Sequence, residues 1–208
     1  MATKIIHLNS SDYKSMPWAN GLGMTTELAV EKHDPPRDDS PFIWRISIAG
    51  VNEDGPFSTF SNIDRNLMLI DGNGITLDGG PHGVGVLFEE FQVYGFPGDI
   101  ELSGKLADGP ILDLNLMVDR RFAKGDISGF NVNTPERLAL KGDVNFIHLL
   151  NGSAPVTLDI EGELTVLESG SSLRIENINQ NVVILPMGSN EKVSKVVFIA
   201  IDLIDKEI

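Results

Sequence analysis

Five polar residues sit where strands should be apolar, and their spacing is that of a binding wall. Glu27 follows Thr25 by two positions in Met24-Thr25-Thr26-Glu27-Leu28. Arg45 and Ser47 alternate with apolar residues in Trp44-Arg45-Ile46-Ser47-Ile48-Ala49, and Asp113 and Asn115 do the same in Asp113-Leu114-Asn115-Leu116-Met117. On a strand, alternate side chains share a face. Three such strands side by side would bring Glu27, Arg45, Ser47, Asp113 and Asn115 to one concave wall, forming a small-molecule site inside a β-barrel. Arg45 could pair with Asp113 or grip a carboxylate through two parallel hydrogen bonds. Arg65, at the start of a further strand, would add a second cation at the cavity mouth. Glu27 with Asp113 is the one visible carboxylate pair for acid–base work, and the arginines offer both carboxylates a purely structural use.

Other chemistries are poorly supported. The chain has no cysteine, which removes disulfide, thiolate and zinc–sulfur chemistry. Its histidines, His7, His33, His82 and His148, are scattered and never form His-x-His. Neither metal nor cofactor is expected, and His148 reads as a satisfied core or rim histidine. No Gly-x-Ser-x-Gly elbow is present. Asn20-Gly21-Leu22-Gly23 lacks the Lys and the following helix of a phosphate loop, and reads as a tight connection. Trp18, just before it, could plug a barrel end or stack on a ligand.

The 208 residues carry a formal net charge of −14. That field disfavours nucleic acid and anionic membranes, so an anionic ligand would need a local arginine. No signal peptide or membrane span is legible, which makes the cytoplasm the expected compartment.

The elements that must position these residues are strands. Short runs rich in Val, Ile, Leu and Phe recur between turns such as Asp71-Gly72-Asn73-Gly74 and Asp108-Gly109-Pro110. This is the signature of an all-β sandwich or barrel. Strands are predicted at 4–8, 24–30, 42–50, 65–70, 74–78, 84–88, 91–95, 100–106, 111–118, 127–132, 136–141, 144–150, 155–160, 163–168, 172–176, 181–185 and 193–203. One helical turn is expected near Ser10 to Ser15, and an exposed loop at His33 to Ser40. Leu67 to Asp78 is echoed by Ile147 to Asp159, each read as a hairpin, and Ile111 to Val118 by Val196 to Ile204. The echo suggests two similar halves, 1–125 and 126–208, within a single 1–208 unit, with N-terminal strands free to cross over. The late strand of the second half, Phe198-Ile199-Ala200-Ile201, is apolar, which places the site in the first half.

Several of these blocks carry a family likeness. Pro17-Trp18-Ala19-Asn20-Gly21-Leu22-Gly23-Met24-Thr25-Thr26-Glu27 resembles the W-x-N-G-G-G-x-T-x-E opening of the HutD/Ves family. Trp44 to Ala49, Gly55-Pro56-Phe57-Ser58-Thr59-Phe60 with Asp64-Arg65, Phe96-Pro97-Gly98-Asp99 and Asp113 to Met117 are similar to its later blocks. The resemblance implies a bicupin, two cupin-type jelly-roll barrels in one chain, without metal-binding histidines. It implies ligand-binding roles for Trp18, Asn20, Thr25, Glu27, Arg45, Ser47, Arg65, Asp113 and Asn115. It also implies a binding or regulatory role toward a histidine-degradation intermediate such as N-formylglutamate. Leu22 departs from the family's usual glycine. The leading expectation is therefore a metal-independent binder of a small, polar, anionic metabolite, with room for a homodimer. A metal-free isomerase or hydrolase using Glu27 or Asp113 is the first alternative, and a structural dimer module the second.

Overall fold

A computed structural model describes residues 3–18, 21, 23–178, 180–187 and 192–204. Asn20 and Leu22 lie outside the described residues. Nineteen strands are present among those described. They are β1 (Lys4–Leu8), β2 (Lys14–Pro17), β3 (Gly23–Glu31), β4 (Trp44–Val51), β5 (Gly55–Phe57), β6 (Ile63–Asp71), β7 (Ile75–Asp78), β8 (Val84–Leu87), β9 (Val93–Pro97) and β10 (Leu102–Leu106). The rest are β11 (Ile111–Asp119), β12 (Ala123–Val132), β13 (Glu136–Ala139), β14 (Val144–Leu149), β15 (Val156–Ile160), β16 (Glu163–Leu167), β17 (Ser172–Glu176), β18 (Asn181–Pro186) and β19 (Ser194–Leu203). Two single 3-10 turns, Ser10–Asp12 and Gly80–His82, are the helical elements described, and no described helix is long and apolar enough to cross a membrane.

The chain divides into two compact units. One comprises Tyr13–Gly125 with the last residues from Leu203, and the other comprises Asp126–Asp202 with the first residues up to Asp12. The first holds a six-stranded sheet, β2-β3-β4-β11-β6-β9, and a four-stranded sheet, β5-β10-β7-β8. The second holds β1-β17-β14-β19-β12 and β13-β18-β15-β16. Adding eight to each strand number in β4-β11-β6-β9 and β5-β10-β7-β8 reproduces the second unit's order. The architecture is thus all-β and internally repeated. None of the sheets closes into a barrel, so the expected barrels are in fact pairs of open sheets.

The Asp-Gly turns correct the hairpin reading of the echo. β6 pairs with β11 and β9, whereas β7 pairs with β10 and β8. The turn at Gly72 to Gly74 therefore carries the chain from one sheet to the other. Its corner is sharp because both glycines have positive φ, +96° and +116°, and because a Cβ at Gly72 would sit 2.7 Å from the Pro110 carbonyl oxygen. The second unit repeats the crossing between β14 and β15.

Two strands escaped the sequence reading, β2 and β5. β2 is exposed along its whole length, and β5 is three residues containing Gly and Pro. Both are edge strands held by backbone pairing, so neither needs the apolar alternation that marks a strand. In the first unit, side chains of both sheets meet in one core, including Leu67 and Leu69 of β6, Leu77 of β7, Leu87 of β8 and Ile111 of β11.

Candidate functional site

The register of the six-stranded sheet assembles the polar face. Across β3, β4, β11 and β6, one row reads Thr25, Ala49, Asp113 and Leu69, and the next reads Glu27, Ser47, Asn115 and Leu67. A third reads Val30, Arg45, Met117 and Arg65. Leu28 is an extra residue on β3 between the second and third rows. That bulge keeps Glu27 beside Arg45 although their registers differ by a row.

These rows floor a cavity of about 330 Å³, near the lower end of small-molecule sites. Of the sequence-selected residues, Trp18, Thr25, Arg45, Ser47, Arg65 and Asn115 line it. Glu27 and Asp113 do not. The far wall comes from the segment after β4: Pro56, Phe57, Ser58 and Phe60. The sequence reading quoted that Gly-Pro-Phe-Ser-Thr-Phe block yet gave it no role. Its two phenylalanines spaced by three residues were the available signal.

Trp18 stands between the core and the cavity. Its Nε1 donates to Thr25 Oγ1 at 2.8 Å, and its ring packs on the core while lining the cavity. Gly23 makes this possible, because a Cβ there would collide with the Gly50 carbonyl oxygen and press on the indole. Gly21, with φ of +74°, turns the connection, as its sequence context suggests.

The two arginines are not placed as expected. Arg65 is not a rim cation, for it is 6% exposed and stands at the back of the cavity. Its NH2 donates to Asn115 Oδ1 at 2.9 Å and its NH1 to the Ser58 carbonyl oxygen at 3.2 Å. Its guanidinium lies 4.9 Å from the Phe96 ring centroid, 5.7 Å from Phe57 and 5.8 Å from Phe60. Three aromatic faces partly replace the lost hydration of the cation. Burial still pulls its pKa down to about 10, so it stays charged at neutral pH. Among the described residues its buried Nε has no hydrogen-bond partner.

Arg45 pairs with Glu27, not with Asp113. Its Nε donates to Glu27 Oε2 at 2.8 Å, with both side chains partly exposed. The physical reason is the bulge at Leu28, which brings the β3 carboxylate alongside, whereas Asp113 is turned toward its own neighbour on β11. Asn115 Nδ2 donates to Asp113 Oδ1. Asp113 is fully buried, and its Oδ2 has no partner among the described residues. Burial raises its carboxyl to about 7, against the pull of Arg65 and of the Asn115 amide. Glu27 and Asp113 therefore belong to two separate arrays, one around each arginine, and do not face each other as an acid–base pair.

The histidines stay apart. His148 is buried on β14, with Nδ1 2.8 Å from Ser172 Oγ, and burial lowers its pKa to about 4, leaving the ring neutral. His33, in the loop expected to be exposed, is buried with Nε2 3.3 Å from Asp119 Oδ2. Among the described residues, no three His, Asp or Glu side chains converge as a metal-ligand set.

An all-β, cupin-like protein with an arginine-backed cavity in its first unit is the class that this fold and site define. The HutD family model matches residues 10–189, and the chain belongs to the HutD family. The family is linked by name to histidine utilization. An uncharacterized 21.2 kDa protein in the hutC 3′ region of Pseudomonas putida is 38% identical over 112 residues, 53% of this chain and 56% of that protein. Protein Ves of Cronobacter sakazakii is 38% identical over 113 residues, 52% of this chain and 59% of its own length. The chain thus matches a little over half the length of these curated relatives. A conserved protein of unknown function from Pseudomonas aeruginosa PAO1 superposes with a TM-score of 0.82 at 25% identity, covering 97% of this chain and all of that one (100%). HutD from Pseudomonas fluorescens SBW25, solved in a formate condition, gives 0.76 at 24% identity, covering 96% and 99%. The Escherichia coli protein YlbA gives 0.64 at 10%, covering 98% and 93%, a likeness of fold alone.

Proposed function

We propose that this chain is a bicupin that binds a small anionic metabolite in the cavity of its first half, residues 1–125, and acts as an accessory or regulatory protein of the cytoplasm. The second half, 126–208, completes the scaffold. The observation that carries the reading is Arg65, a cation buried against three aromatic rings with an unpartnered Nε at the back of an open cavity. A cation kept in so poorly hydrated a place is costly unless an anion completes it. Arg45 supplies a second charge from the same row, Thr25, Ser47 and Asn115 supply hydrogen bonds, and Phe57, Phe60 and Met117 supply apolar contact.

Given the family's link to histidine utilization, N-formylglutamate is the ligand to try first. An enzymatic role has less support, because neither Glu27 nor Asp113 lines the cavity. A thermal-shift screen against histidine, urocanate, formiminoglutamate, N-formylglutamate and glutamate tests the reading. A ligand selective for the native state raises Tm with concentration. The expected result is a rise with N-formylglutamate, absent in Arg65→Ala. No rise with any of the five would overturn the metabolite class.

A further inference from the structure

We infer that Asp113, although it does not line the cavity, sets the charge that the cavity offers, so that capture of an anion at Arg65 is accompanied by uptake of a proton on Asp113. The inference rests on the cavity being an anion site.

Among the described residues, Asp113 has one hydrogen-bonded link to the cavity. Its neighbours across the strands are Ala49 on β4 and Leu69 on β6, both apolar. On its own strand, Asn115 donates its amide N–H to Asp113 and accepts from Arg65 through the amide oxygen. A single amide thus joins a buried carboxyl to a buried guanidinium, and its orientation is fixed from both ends. Arg65, from β6, is the charged group among the described residues that acts on Asp113. Arg45, from β4, acts on Arg65 and is itself held by Glu27 of β3.

When Asp113 is ionised, the pair is close to neutral, and a ligand carboxylate would be the second negative charge on one cation. In a site of low dielectric, two anions around one cation repel strongly. When Asp113 holds a proton, the charge of Arg65 is uncompensated and the site is open to one anion. The two states are close in energy near neutral pH, because burial has already lifted the carboxyl to about 7. A bound anion lifts it further. Asp113 is thus a charge-setting residue acting through Asn115, not a group that touches the ligand.

Calorimetric titration of the intact protein with N-formylglutamate tests this. At pH 7, the binding heats in PIPES and in imidazole should differ by a net proton uptake. If binding required the proton, affinity would fall about tenfold from pH 6 to pH 8, as a one-proton linkage with a pKa near 7 requires. Asp113→Asn should bind the probe with no proton uptake and with a flat pH profile. Wild-type binding with equal heats in both buffers and a flat profile overturns the inference and leaves the anion site standing. No binding at any pH sinks the anion reading and this inference with it. A second readout is independent of the variant's folding. The Asp113 carboxyl carbon, followed by NMR, should titrate near neutrality and move upward with added formate. A midpoint below pH 5 overturns the proposal.

Discussion

The two units place very different residues at the same point of the same frame. In the first, Asn115 of β11 lies opposite Leu67 of β6; in the second, Phe198 of β19 lies opposite Ile147 of β14. One pair along, Asp113 opposite Leu69 becomes Val196 opposite Leu149, and Met117 opposite Arg65 becomes Ala200 opposite Asn145. Val196, Phe198 and Ala200 belong to a closed apolar core with Ile147 and Leu149. The one polar survivor, Asn145, is fully buried but satisfied locally, donating to the Gly142 carbonyl at 2.7 Å and accepting from the Gly142 N–H at 3.1 Å. Arg65 in the matching place has no such closure. A repeated scaffold has thus been filled in one copy and hollowed in the other. In the hollow copy, Arg65 Nε and Asp113 Oδ2 lack hydrogen-bond partners among the described residues, and incomplete hydrogen bonding beside a cavity is where a ligand has most to gain.

The largest expected effect breaks the contrast at its cation. Arg65→Ala should cost about 2–5 kcal/mol of ligand affinity by calorimetry, well beyond Arg45→Ala. Arg65→Lys should rescue little, because an ammonium cannot keep both fork contacts. A larger loss at Arg45 would restore it as the main anchor.

Next comes Asp113, which has an apolar counterpart. Its pKa is raised in the folded state, to about 7, so the native protein holds a proton that the unfolded chain releases. The stability from this group is full below about pH 4 and is lost as pH rises through about 7. At about 1.4 kcal/mol per pK unit, the swing amounts to a few kcal/mol. Asp113→Asn should therefore gain stability relative to wild type between pH 4 and pH 8 in urea melts. A constant difference across that range would remove the buried titration.

Making the filled copy more polar, or the hollow copy more apolar, should cost less. Ala200→Asn would strand a polar group in the closed core and destabilise by about 1–3 kcal/mol. Asn115→Leu should abolish ligand-induced stabilisation and also cost about 1–3 kcal/mol, because it strips partners from both Arg65 and Asp113. Chemical denaturation of both variants checks this. A neutral Asn115→Leu would mean that the amide bridge contributes nothing to the fold.

The smallest effect concerns Glu27. Its ion pair with Arg45 is partly exposed, so Glu27→Gln should cost about 1 kcal/mol or less. It should slightly tighten anion binding by releasing Arg45. A loss of binding would instead make Glu27 a positioning group for that arginine.

Much of this was legible in the residues. Period-two alternation at Thr25, Arg45, Ser47, Asp113 and Asn115 gave strands with a polar face, because strand geometry fixes which side chains share a side. The echo of Leu67 to Asp78 in Ile147 to Asp159 marked the repeat, and the apolar Phe198 to Ile201 marked the filled copy. What stayed hidden depends on pairing between strands distant in sequence. Nothing local says that the glycine corner at Gly72 to Gly74 switches sheets, that a bulge at Leu28 hands Arg45 to Glu27, or that Phe57, Phe60 and Phe96 enclose Arg65. Side-chain periodicity is a property of one strand, so sequence determined the faces. Burial and the choice of partner at Arg45 and Arg65 are properties of several strands at once, so only the tertiary structure could decide them.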